Sequence, residues 1–277
     1  MLISSLPTRR LGNADGSAPL RFGSGDPQSP TGPRYLLLEG EPAFELSMWC
    51  GTCPFLFERQ TGANRTLSAD LGAMAQLEQP LDDVDETILD TFSPLVPHGD
   101  YLPLLLEVLP NLTAPYDQDD YFTREQLATW QVDSFWGLPE NPRSFYYRTF
   151  ETAVDDEAHL YEFIVPMVPP PWNDRGRVEH YRDLIGRGTA PTAVALSTLE
   201  TRLPADGPSA DYYTHWLLSH FLLDGHHKVE AAAQAGRPIR LLALVSIDES
   251  LADPGAIGCL PDVLRRPRMA RQVSDTT

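Results

Sequence analysis

Cysteine is nearly absent from this chain: three in 277 residues, Cys50, Cys53 and Cys259. So few cannot build a disulfide framework. Arg9 and Arg10 are followed by Gly, Asp and Pro and not by an apolar core, so no secretory leader is expected. Together these point to a reducing, cytoplasmic setting, in which the sequons Asn64-Arg65-Thr66 and Asn111-Leu112-Thr113 are chance matches. No apolar run approaches the roughly 20 residues of a membrane span, which argues against a membrane partner. Basic residues are also scarce, with 21 Lys+Arg against 39 Asp+Glu, a net charge of −18 and a pI near 4.6. Binding to a phosphate backbone needs Lys and Arg to neutralise charge, so nucleic acid is not the expected partner. The cluster Arg265, Arg266, Arg268 and Arg271 reads as a solvated basic tail on an acidic body.

What is present is enough for a sizeable core. The hydrophobic fraction is 42% and the aromatic fraction 9%, ordinary for a globular protein of one large or two smaller domains. Residues 1–33, rich in Gly, Ser, Pro and Asp, read as a flexible arm. Residues 34–144 read as a mixed α/β region. Strands are expected at Arg34 to Glu39 and Ala43 to Trp49, and helices at Leu67 to Gln79, Asp83 to Phe92 and Tyr101 to Val108. Thr123 and Gln126 have capping-box spacing. Residues 145–250 alternate more regularly: a strand from Leu160 to Val168, a helix from Arg177 to Arg187, and a strand from Thr192 to Leu199. A polar loop at about 203–211 leads to a strand-turn-helix over residues 216–233, and a last strand spans Ile239 to Ile247. Residues 251–277 form a tail. The succession predicts an α/β (α+β) unit, and no internal repeat is found.

The strand-turn-helix carries the chemistry. Trp216 to Leu223 is apolar, Asp224-Gly225 is a turn, and His226-His227-Lys228-Val229-Glu230 opens an alanine-rich helix that Gly236 ends. A helix N-terminus presents unpaired N–H groups and the positive end of the dipole, and so attracts anions. Two histidines and a lysine in a first turn oppose the usual preference for acidic residues there. The conflict resolves if a phosphate completes the site. Glu230 lies three and four residues from the histidines and can orient one imidazole. Asp224 can bind Mg²⁺ or act as a base, though Asp-Gly is also a common turn former.

The order of parts in the second half resembles the ParB/sulfiredoxin-like superfamily. A strand ending in prolines (Phe163-Ile164-Val165-Pro166) leads to a helix with Tyr181-Arg182-Asp183-Leu184-Ile185. Gly188, Pro191 and the strand Ala193 to Leu199 follow, then Leu223-Asp224-Gly225-His226-His227-Lys228, Glu230-Ala231-Ala232-Ala233 and Gly236. The resemblance spans roughly residues 145–250. It implies a nucleotide-binding domain in which Gly225, His226, His227 and Lys228 hold the phosphates of ATP or ADP with Mg²⁺. Lys228 stands where arginine is common, a point charge in place of a bidentate fork. The branch nearest in spirit is the free serine kinase type. The DNA-clamp branch conflicts with the charge, and the reductase branch needs a cysteine where His-His stands.

Other features leave alternatives open. His215, His220, His226 and His227 fall within 13 residues and invite a metal reading. On a strand, however, His220, Leu222 and Asp224 share a face and His215 takes the other. Trp49-Cys50-Gly51-Thr52-Cys53-Pro54 resembles a thioredoxin turn, or half a zinc site with Cys50 and Cys53 as ligands and His98 or Cys259 completing it, or a structural thiol pair. Tyr116, Asp119, Asp120, Tyr121, Tyr146, Tyr147 and Arg148 can wall a substrate cleft. The leading expectation is a nucleotide-dependent enzyme acting on a small molecule by phosphoryl transfer or nucleotide hydrolysis, with Asp224, His226 and Glu230 as catalytic candidates. A non-catalytic nucleotide- or metal-binding regulator and a thiol-redox protein are the alternatives.

Overall fold

The computed structural model describes residues 1–24, 33–46, 57–65, 67, 75–123, 142–202 and 214–268. The fold is of mixed α/β (α+β) class. With β5 at Glu41–Leu46, β6 at Phe57–Arg59, β8 at Asn111–Thr113 and β9 at Tyr146–Ala153, a nine-stranded sheet runs in the order β1-β7-β13-β11-β12-β10-β9-β8, with β2 also paired to β7, and a four-stranded antiparallel sheet has the order β3-β4-β5-β6. The central strands are β10 (Ala158–Val165), β11 (Thr192–Arg202), β12 (Thr214–Asp224) and β13 (Ile239–Ser246). β10 and β12 run parallel, as do β11 and β13, whereas β11 and β12 are antiparallel.

Two cores flank this sheet. On one face Val194, Leu196, Leu217 and Phe221 pack against the small sheet (Leu36, Phe44, Phe57) and against helix α1, Glu86–Phe92. On the other face Ala193, Ala195, Leu218 and Leu222 meet α2 (Arg175–Gly186), α3 (His226–Ala235) and α4 (Pro254–Val263). A strand covered on both sides can be apolar without alternation, as β11 is from Ala193 to Leu196 before its buried Ser197 and Thr198. Its core residues are almost wholly buried.

Several expectations change here. The helix expected from Tyr101 to Val108 is instead strand β7, Gly99–Val108, which pairs antiparallel with β13. Leu104, Leu105 and Leu106 are all fully buried, so the run has no polar face from which a period could be read. Residues 1–33 were expected as an arm, yet β1 (Leu2–Ser5) and β2 (Arg9–Leu11) pair with β7, and β3 (Leu20–Ser24) pairs with β4 (Arg34–Leu38). β1 and β2 part company opposite Pro103, which has no N–H to give the ladder; its carbonyl accepts from Leu6. Because β7 lies beside β13, residues 34–144 and 145–250 share one sheet. The tail also continues in order, as α4. The helix expected over Leu67 to Gln79, the Thr123/Gln126 pair and the Cys50/Cys53 motif lie wholly or largely outside the described residues. No helix among the described residues is long and apolar enough to cross a membrane.

Candidate functional site

β12 ends at Asp224 and the chain enters α3 through Gly225, which is left-handed with φ 100°. A Cβ placed on Gly225 would lie 2.6 Å from the Cβ of Ala193 on β11. Both the backbone conformation and the close approach therefore require glycine. At the far end Gly236, also left-handed, donates to the carbonyls of Ala232 and Ala233.

The other three α-helices described are each capped by an aspartate: Asp85, Asp174 and Asp253 accept from first-turn amides. α3 has no side-chain cap. Among the described residues no acceptor meets the backbone N–H groups of His226, His227 or Lys228. The first turn thus keeps its orphan donors and the positive end of its dipole.

The side chains of that turn take other directions. His226 is buried, and its Nε2 accepts from the Met167 amide at 3.1 Å. Burial pushes its pKa down to about 4, so at neutral pH the ring is an uncharged acceptor. His227 is half-buried, its Nε2 accepts from the Asp174 amide at 3.2 Å, and its pKa is lowered first by burial and then by the nearby Arg177. Lys228 is the single lysine of the whole chain. It is buried, donates at 2.9 Å to the Thr192 carbonyl and at 2.6 Å to the Asp224 carboxylate, and lies 5.8 Å from the centre of the Tyr181 ring. Glu230 is buried and takes Asn173 Nδ2 at 2.7 Å, Arg175 Nη1 at 2.7 Å, Arg175 Nη2 at 3.0 Å and Gln234 Nε2 at 3.0 Å.

The first turn of α3 is therefore laced to the segment from Met167 to Arg175. His226, Lys228 and Glu230 build the turn, Gly225 is buried against Ala193, and His227 is half-buried at its edge. Arg175 and Arg177, at the start of α2, are exposed on this side. Trp172, 62% exposed, sits in the short turn Pro170–Trp172 that packs against α3. Asn173, Arg175 and Trp172 were not singled out in the sequence; the signal was a polar and aromatic cluster directly after three prolines.

The remaining expected ligands do not converge. His215 faces the small-sheet core, with Nδ1 2.7 Å from Tyr121 Oη, and burial lowers its pKa to about 3. His220 faces the helices, bonded to Ser197 and Glu162. Among the described residues no group of three or more His, Cys, Asp or Glu is placed to hold a metal. Tyr121 and Tyr146 are core residues: Tyr146 donates to Asp120 at 2.7 Å and accepts from the Tyr121 amide at 2.8 Å. Tyr147 is equally buried, and Arg148 donates to the Asp119 carbonyl and to Glu151. Tyr116, 62% exposed with φ 69°, is a turn residue. No family model matches the chain, and no curated protein and no solved structure matches it either.

Proposed function

We propose that this protein binds a nucleotide, ATP or ADP with Mg²⁺, through its phosphates at the N-terminus of α3. The observation that carries the reading is a turn of three amides that meet no acceptor among the described residues, on a glycine-nucleated helix beside exposed Arg177. Phosphate oxygens would accept from these amides and gain from the dipole. Trp172 offers an exposed ring on which a base can stack, an interaction of about 1–3 kcal/mol. The resemblance of residues 145–250 to the ParB/sulfiredoxin-like superfamily leads to the same turn.

Binding is better supported than phosphoryl transfer by these residues. Asp224 is neutralised by Lys228, His226 is an acceptor already in use, and Glu230 is held by two side chains of the α2 segment. A nucleotide-binding regulator thus fits the geometry more closely than a kinase using these three groups. Calorimetry against ATP, ADP, CTP and inorganic phosphate with Mg²⁺ tests the reading, with Arg177→Ala and Trp172→Ala as partners to the wild type. Nucleotide binding weakened in both variants is expected, while phosphate alone should be affected only by Arg177→Ala. No heat with any of the four ligands would remove the proposal.

A further inference from the structure

A second constellation lies on the helix-facing side of the central sheet. Ser197 on β11 and His220 on β12 are register partners, and Ser197 Oγ is 2.7 Å from His220 Nδ1. On the other side, His220 Nε2 is 3.2 Å from Glu162 Oε1 on β10. The second oxygen of Glu162 accepts from the hydroxyl of Thr149, on β9 (Tyr146–Ala153). Four adjacent strands thus each contribute one polar group to a continuous row, every member at most 2% exposed.

The proton inventory gives the row a direction. Burial pushes the Glu162 carboxyl up, but its interactions with His220, the N-terminal ammonium and the Thr149 hydroxyl outweigh that and leave the group below its ordinary range. An ionised carboxylate only accepts, so His220 must present a proton on Nε2. When the ring acts as a base its Nδ1 is the acceptor, and the Ser197 hydroxyl then donates to it. The tautomer follows from the network. Thr149 and His220 both donate toward Glu162, Ser197 donates toward His220, and the row ends on the lone pairs of Ser197 Oγ. A nucleophile bonded to a base, with that base oriented by a carboxylate, is the geometric signature of nucleophilic catalysis wherever it occurs in a chain. A purely structural row would more economically be apolar, since buried polar networks seldom stabilise more than well-packed hydrocarbon.

We propose that Ser197, His220 and Glu162 form an acyl-transfer site for carboxylic esters with apolar acyl groups. Leu160, Ile164, Leu199, Leu218 and Leu222 line the same face, which suits a hydrocarbon acyl chain. Ser197 Oγ bonds to the ester carbonyl carbon while its proton passes to His220 Nδ1. The ester C–O bond breaks, and the leaving alcohol takes that proton. Water then attacks the acyl-serine through the same base, releasing the carboxylic acid and restoring the hydroxyl. Glu162 stabilises the imidazolium in both halves, and Thr149 positions Glu162.

Access runs beneath α4. Ile257, Leu260 and Val263 pack on this face, and the chain after α4 is tied to the β9–β10 turn. Thr152 Oγ1 donates to the Pro267 carbonyl at 2.9 Å, and Arg266 donates to the carbonyls of Ala153, at 3.0 Å, and Val154. On this proposal α4, which shares the apolar core of that face, moves to admit the substrate.

The test is covalent. The full chain is incubated with an alkyl fluorophosphonate, and the adduct is located by peptide mass mapping; hydrolysis of p-nitrophenyl butyrate is followed alongside. The expected result is an adduct on Ser197, with hydrolysis falling at least about 100-fold in Ser197→Ala and in His220→Gln. Arg266→Ala, which frees the segment after α4, should speed labelling several-fold. Mapping the wild-type adduct needs no variant to fold. No adduct on Ser197, an adduct only elsewhere, or undiminished hydrolysis in folded Ser197→Ala would overturn the proposal and leave the row as a structural network.

Discussion

Acid should loosen this protein at the start of α3, because His226 has to stay neutral there. Its ring is fully enclosed, and Nε2 accepts from the Met167 amide. A proton on Nε2 would turn that acceptor into a donor facing another donor and place a buried cation within reach of Arg59. The unfolded chain protonates near 6.5, whereas the folded chain resists until about 4. The unfolded state therefore binds more protons between those values, and stability rises with pH across the interval. The contribution is complete above pH 6.5, is lost as pH falls toward 4, and amounts to about 3.4 kcal/mol in all. Between pH 7 and pH 5 alone the loss is about 1.8 kcal/mol.

Other groups titrate in the same range, His215 among them, so the total slope says little. The difference between the wild type and His226→Gln isolates the one site. A glutamine carbonyl can still accept from Met167 but has no proton to gain. Urea unfolding at pH 7 and pH 5 should show the wild type losing about 1.8 kcal/mol more than the variant. If the two proteins lose the same amount, the buried neutral imidazole is not what sets this part of the acid response, and the reasoning fails.

Other substitutions probe the same turn. Gly225→Ala sets a Cβ against Ala193 and strains a positive φ, at about 3 kcal/mol; pairing it with Ala193→Gly should recover only the steric part in thermal unfolding. Glu230→Ala strands the buried donors of Asn173 and should destabilise by about 2 kcal/mol. Arg175→Ala should cost under about 1 kcal/mol, because the guanidinium is 56% exposed and water screens the pair. Equal losses for the two in urea titrations would refute that division. Lys228→Met leaves the Asp224 carboxylate without its partner and should cost about 2 kcal/mol, with Asp224→Asn in the same chain restoring part of it.

The sequence of β10, α2, β11, β12, α3 and β13 was legible because each element is bounded by its own punctuation: prolines after Val165, Gly188 after α2, Gly225 before α3 and Gly236 after it. β7 was not. Its leucines are buried on both faces, and only pairing with β1, β2 and β13 makes it a strand rather than a helix. β1 and β2 are four and three residues long, too short to show a period. Their conformation comes from β7, about 100 residues later for β1 and about 90 for β2.

The site shows the same limit more sharply. That His226, His227 and Lys228 open a helix directly after a glycine turn follows from local sequence. Where each side chain points does not, because successive helical residues turn by about 100° and three neighbours must face three ways. The partners of the two imidazoles, Met167 and Asp174, lie more than 50 residues earlier, as do Asn173 and Arg175, which hold Glu230. Three apparent cations therefore become one neutral acceptor, one rim imidazole and one lysine consumed by an aspartate. An acidic chain with a single lysine has spent that lysine inside the fold. Any anion held at α3 must then be held mostly by backbone amides and by arginine from α2. Binding there should accordingly respond more to Arg177→Ala than to a substitution at Lys228 that preserves the fold. The histidine row of Ser197 obeys the opposite rule: its faces were readable from alternation, but only the register of three strands could bring hydroxyl, imidazole and carboxylate into line.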